Sequence, residues 1–260
     1  MFTEQFSAAK ESAQRLLSEN YIDNPASLAL EHIAMLFGLL VRDGNLTGAL
    51  ATLITKEGQR GGIITVSRNI SILGQRRFAI AHEIGHFRLH LKNKPAYICT
   101  EEMFFAWYKA NSQEPEANAF AAELLMPNQN FRKLIAGRPP SQELLAETTS
   151  YFKTSLTATC ARYAELGPYP CILFVSTDNK LKWVKASHDI DYYRIKIGDE
   201  LTARSCAGDF FREGREEPGP QRIFHDAWFT DSRLDNSVEI FEYPIYLKKY
   251  NTVLSLVWFK

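Results

Sequence analysis

The chain has 260 residues, enough for one large domain or two modest ones. Hydrophobic residues make up 45% and charged residues 23%, which excludes a disordered or membrane-embedded composition. Thirty basic residues balance thirty acidic ones, which argues against wholesale coating of nucleic acid or of a membrane surface but leaves room for a local basic patch.

The opening residues, "MFTEQFSAAKESAQRLL", lack the basic head and apolar run of a secretory signal. No stretch reaches the ~18 uninterrupted apolar residues of a membrane span. Cys99, Cys160, Cys171 and Cys206 form no C-x-x-C pair. That suits a reducing compartment and argues against a cysteine-based zinc site. The expectation is a cytoplasmic protein without membrane attachment.

In chain order, residues 5–20 carry good helix formers in an amphipathic pattern. "NPASLALEHIAMLFGLLV" (24–41) predicts a second helix, with Asn24 as cap and Pro25 in the first turn. "GALATLITKEGQRGGIITVSR" reads as a hairpin around Gly58, extended by Ile63 to Val66. A strong helix is expected from Arg76 to Leu91. The mixed segment 92–113 reads as a loop or lid. Helix returns in "PEANAFAAELLMP", bounded by Pro115 and Pro127.

Short helices follow over 130–135 and 141–166, and "GPYP" at 167–170 punctuates the chain. Beyond it the pattern turns to strands: "CILFVS", "LKWVKAS", "SVEIFEYPIYL" and "TVLSLVWF". "DFFREGREEPGPQR" (209–222) is expected as a polar loop. The many aromatics after 171, Phe174, Trp228 and Trp258 among them, read first as a β-rich core. The sharper reading is a small-molecule pocket or a protein-binding face.

The chemistry concentrates in "RFAIAHEIGHFRLH" (77–90). On a helix, residues four apart lie about 6 Å apart on one face. His82 and His86 can therefore present imidazoles to one cation, and Glu83, offset by about 100°, flanks that face. This is the H-E-x-x-H arrangement of two zinc ligands and a general base. His90 lies about 12 Å along the axis from His82, too far for the same ion, and reads as a core residue or one lying behind the site. Burying two histidines and a glutamate without partners would be costly, and a metal gives them a role. The alternative for Glu83 is a structural acid paired with Arg76 or Arg77. Gly85 would let a neighbouring element approach closely.

A catalytic zinc takes three protein ligands and one open position. Among the downstream acids Glu116 is favoured, in the first turn of the next helix and at the edge of its apolar face. Glu114 is the runner-up. Either could instead complement the helix N-terminus. Two imidazoles and a carboxylate hold Zn2+, and Mn2+ as well. Tyr97 and Tyr108, between the two ligand helices, are candidate donors to the oxyanion.

"RRFAIAHEIGHFRLH", followed some thirty residues later by "EANAFAAELLMP", closely resembles the ImmA/IrrE family of zinc metallopeptidases. "ALEHIAMLFGLLV" and "RGGIITVS" are similar to that family's pattern too, so the likeness covers about residues 25–130. It implies His82, His86 and Glu116 as zinc ligands and Glu83 as general base. It implies cleavage of a helix-turn-helix (HTH) repressor protein, releasing genes for stress response or mobile-element transfer. The implied fold class is α+β: a helix-rich zincin-like peptidase domain with a small sheet at 1–128, a short HTH-like segment at 129–168 and a β-rich, GAF-like sensor domain at 169–260. Residues 60–67 would supply the sheet edge that pairs with an extended substrate. The sensor domain would take a small-molecule effector. DNA binding is disfavoured, since the second helix of "LAETTSYFKTSLTATCARYAELG" offers only Arg162 as a basic residue. The competing reading is a metal-containing regulatory protein that binds a partner or DNA without proteolysis.

Overall fold

The computed structural model describes residues 6–55, 61–90, 96–99, 113–187, 190, 194–230 and 237–260. The chain divides into two units: Met1–Asn130 with Thr149–Ser155, and Phe131–Thr148 with Leu156–Lys260. The 129–168 stretch is thus shared between both. The class is α+β, with eight α-helices and two sheets among the described residues.

In the first unit, α1 (Ser7–Glu19) buries Ala9, Ala13, Leu16 and Leu17, spaced as one helical face. Each such leucine contributes about 2 kcal/mol by leaving water. The helix expected over 24–41 is much shorter. Pro25–Ser27 form a single 3-10 turn, with the Asn24 side chain accepting from the Ala26 amide at 3.0 Å. Helix α2 covers only Leu30–Met35. Gly38 then takes φ +71°, and the apolar run that follows becomes strand β1 (Leu39–Gly44). Glycine reaches that conformation without steric cost, so it ends the helix where periodicity alone continues it.

β2 (Ala51–Thr55) and β3 (Gly62–Ser67) pair antiparallel, as the hairpin reading required. The turn around Gly58 lies outside the described residues. β1 joins β3 in parallel, and β4 (Ala96–Cys99) joins β2 antiparallel, giving the order β1-β3-β2-β4. This corrects the expected substrate edge. β3 is flanked on both sides, so residues 62–67 have no free edge, and β1 and β4 are the outer strands. It also corrects the 92–113 segment, part of which is strand. One sheet face, with Leu53, Ile64 and Val66, is buried, while Leu40 and Ile54 on the other are exposed.

Helix α3 (Leu73–His90) starts near its expected position. Its Gly74 abuts the Thr154–Ser155 backbone, where an added Cβ would come within 2.2 Å of the Ser155 nitrogen. Arg77 fastens α3 to the earlier chain, donating to the carbonyls of Leu28 at 2.9 Å and Pro25 at 2.8 Å. α4 (Gln113–Leu125) packs on both α1 and α3. Gln14 of α1 donates to Glu123 of α4 at 2.9 Å.

The second unit holds the end of α5 (Asn128–Ile135), most of α6 (Gln142–Phe152) and all of α7 (Leu156–Leu166). Arg162, the one basic residue of α7, is 2% exposed and pairs with Glu165 at 3.2 Å. The sheet runs β6-β5-β9-β8-β7, antiparallel throughout. Its strands are β5 (Cys171–Thr177), β6 (Lys180–Ala186), β7 (Gln221–Ile223), β8 (Ile240–Leu247) and β9 (Thr252–Phe259). Pro244 sits in β8 beyond the three residues that pair with β7, so its missing N–H leaves no gap in the ladder there. Phe174, Trp228 and Phe229 belong to a β-rich core: Phe174 stacks on Trp228 at 4.2 Å within one buried cluster with Phe229. The start of the expected polar loop is helical instead. α8 (Cys206–Glu213) begins at Ser205, whose hydroxyl accepts from the Gly208 amide at 3.0 Å, and ends at Gly214 with φ +68°.

Candidate metal centre

The centre is built where α3 lies against α4. An added Cβ at Gly85 would meet the Ala117 backbone at 3.2 Å and the Phe120 ring at 3.1 Å. The close neighbour foreseen for Gly85 is therefore a helix. Glycine facing alanine brings the two axes together, and polar residues of both helices meet in the shared interior. His82, Glu83 and His86 have no exposed surface, and His90 is 4% exposed.

The Nε2 atoms of His82 and His86 are 3.0 Å apart. Glu114 Oε2 lies 3.1 Å from the first and 3.4 Å from the second. Among the described residues these three are the His, Cys, Asp or Glu side chains close enough to share an ion. Zinc at about 2.0–2.1 Å from tetrahedral ligands separates them by about 3.3 Å. The observed triangle fits one face of that tetrahedron.

Proton accounting points the same way. His82 Nδ1 lies 2.9 Å from the Asn118 carbonyl oxygen, which can only accept, so Nδ1 carries the proton. In the neutral ring Nε2 is then a lone pair, directed at a carboxylate oxygen and at a second imidazole nitrogen. Either a proton or a metal cation must lie among these acceptors. Where that cation is a proton carried on Nε2 of His82 or His86, burial alone would raise the Glu114 carboxyl, but the hydrogen bonds from the two rings outweigh that and hold it well below the usual carboxylate range.

The structure thus brings together His82, His86 and the runner-up Glu114. Glu116, favoured from sequence, stands instead 2.7 Å from His90 Nε2. His90 Nδ1 in turn lies 3.1 Å from His86 Nδ1. Arg76 is engaged by Glu31 and Asp43, and Arg77 by main-chain carbonyls, so the arginines weighed as partners for Glu83 have other roles. Tyr97 belongs to β4, its backbone registered with Leu53. Tyr108 lies outside the described residues. Sequence reasoning passed over Asn118. Its signal was the four-residue spacing from Glu114, which puts both on one side of α4.

A histidine pair one turn apart on a buried helix, met by an acid from a second helix, is the arrangement of a metallopeptidase-like domain. Residues 38–163 match Peptidase_M78, the IrrE N-terminal-like domain. It is 28% identical over 123 residues to "Uncharacterized immunity region protein 2" of Bacillus phage phi105, a match covering 47% of this chain and 71% of the phage protein. In fold it is similar to a "Mycobacterium tuberculosis transcriptional regulator", with a TM-score of 0.61 and 16% identity over 97% of this chain and 77% of that one. No helix among the described residues is long and apolar enough to cross a membrane.

Proposed function

We propose that the protein is a zinc-dependent endopeptidase of the cytoplasm that cuts a regulatory protein, an HTH repressor, and so derepresses genes in response to stress or another signal. The observation that carries this reading is the triangle of His82 Nε2, His86 Nε2 and Glu114 Oε2, three acceptors at tetrahedral spacing around a common point. These residues would hold the ion, with Mn2+ as a second candidate metal. When bound, it supplies Lewis acidity, acidifying a water and polarising the substrate carbonyl.

The remaining work falls to the chain's own groups. Glu83, in the buried turn between the two histidines, accepts a proton from the attacking water and delivers it to the departing amide nitrogen as the C–N bond breaks. A tyrosine hydroxyl from Tyr97 or Tyr108 would donate to the oxyanion. An outer strand of the first sheet, β1 or β4, would hold the extended substrate by main-chain pairing. The phage relative is named for an immunity region, which favours a repressor as the target. DNA binding through α7 finds no support, because Arg162 is buried against Glu165. An effector of the C-terminal unit would need a surface other than Phe174, Trp228 and Phe229, which fill its core.

The test is incubation of the purified protein with a repressor encoded beside it, with zinc and with a chelator, read on a gel. Zinc-dependent cleavage is expected, and Glu83→Gln should abolish it at unchanged zinc content. Wild-type protein that binds one zinc and the repressor yet leaves the repressor whole would establish the non-proteolytic regulatory reading instead.

A further inference from the structure

We propose that Glu116 and His90 form a relay behind the metal centre that fixes the tautomer and orientation of His86. The proposal rests on the metal-binding reading above and goes beyond it.

The relay is a chain of hydrogen bonds. The Glu116 carboxylate can only accept, so His90 Nε2, 2.7 Å away, donates to it. A neutral His90 protonated at Nε2 has a lone pair at Nδ1. That lone pair faces His86 Nδ1 at 3.1 Å, and His86 Nδ1 supplies the proton. His86 is then protonated at Nδ1, and its Nε2 is left as the lone pair directed at Glu114 and His82 Nε2. With both rings neutral, each proton has one donor and one acceptor, and reversing either link places two donors or two lone pairs face to face.

The two liganding imidazoles are thus held differently. His82 is set by Asn118, a neutral amide that is fully buried. His86 is set by a second imidazole that ends on a carboxylate 43% exposed. A carboxylate behind an imidazole raises its basicity as a ligand, and hydrogen-bonded chains polarise one another. The relay extends that effect through one more ring, so negative charge kept in water strengthens a ligand buried from it. Helix geometry permits this: His86 and His90 are one turn apart on α3, and Glu116 reaches His90 from the first turn of α4. His90 and Glu116 are positioning residues, since neither touches the site where the ion or substrate would lie.

The experiment compares wild type, Glu116→Ala, Glu116→Gln, His90→Ala and the His90→Ala/Glu116→Ala double variant. Zinc affinity is measured by chelator competition. The His86 tautomer is read from imidazole nitrogen shifts in the metal-free protein, and folding from thermal melts. Glu116→Ala, at a half-exposed position, should melt like wild type, shift His86 away from the Nδ1–H tautomer and weaken zinc binding about 10-fold. Glu116→Gln should restore most of both, because its amide oxygen still accepts from His90. In the His90→Ala background, removal of Glu116 should cost nothing further. An unchanged His86 tautomer in Glu116→Ala, or losses that simply add, overturns the relay. Wild type that binds no zinc while the tautomer still responds overturns the metal reading and leaves the relay standing.

Discussion

Each unit of the molecule sets a carboxylate at the start of a helix or against one, Glu242 buried and Glu114 partly so, and the two are surrounded in opposite ways. In the C-terminal unit Glu242 has no exposed surface and meets only donors. The amides of Cys206 and Ala207 at the start of α8 reach it at 3.0 and 3.2 Å, Trp228 Nε1 at 2.9 Å and the Ser255 hydroxyl at 2.7 Å. In the N-terminal unit Glu114 faces two imidazole nitrogens, one of which has its ring proton committed elsewhere by Asn118. A carboxylate saturated with donors is a strut that caps a helix and ties it to two strands. A carboxylate that meets lone pairs needs a cation among them. Burial alone would have ranked Glu242 first as a functional residue; counting protons reverses that order.

The largest effect expected on the functional side is from Glu83→Gln, which should cut proteolysis about 10²–10⁴-fold at unchanged zinc stoichiometry, measured by timed cleavage and metal analysis. Full activity in that variant would remove the general base and the catalytic half of the comparison. Next, Glu114→Ala should weaken zinc binding by more than the ~10–100-fold typical of outer partners, whereas Glu242→Ala should leave zinc affinity as it was. Equal zinc affinity in Glu114→Ala and wild type would break the contrast between the two acids.

Glu242→Ala should act on stability instead. It strands four donors, each costing about 1–3 kcal/mol when buried without a partner, so a loss of at least about 3 kcal/mol is expected in urea unfolding. The smallest effect is on pH dependence. Burial raises the Glu242 carboxyl above its ordinary range, against the pull of its Trp228 and Ser255 hydrogen bonds. The folded state therefore holds that proton more tightly than the unfolded one. The resulting stability is full below the unfolded value of about 4.3 and is lost as pH rises through the folded value. Lowering the pH from neutral to about 5 should move the wild-type urea midpoint up relative to Glu242→Gln, which has no proton to gain. Parallel midpoints in the two proteins would mean that the carboxylate is ionised throughout.

Much of the site was legible because it is local. His82, Glu83 and His86 lie within five residues, and helical geometry alone puts the two rings on one face. The strands of the second sheet were legible too, since alternating apolar runs such as "TVLSLVWF" set a period of two whatever they pack against. Local pattern misled where an apolar run admits both structures: "FGLLV" continues a helical periodicity, but Gly38 turns the chain and Leu39–Gly44 pair with β3. The polar stretch at 209–213 failed in the other direction. It is helical because Ser205 and the carboxylate of Glu242, from a distant strand, satisfy its first amides.

The amino-acid sequence by itself determined the two histidines, the acid between them and the family that they resemble, because those depend on spacing along one helix. Tertiary structure alone decided which acid completes the triangle. Glu114 and Glu116 are two residues apart, on sides of α4 that differ by about 200° of rotation. The choice rests on how α4 is turned when Ala117 and Phe120 close over Gly85, and no spacing within either helix carries that angle. The same docking places Asn118 behind His82 and Glu116 behind His90, so the partners of the candidate ligands are products of packing between helices.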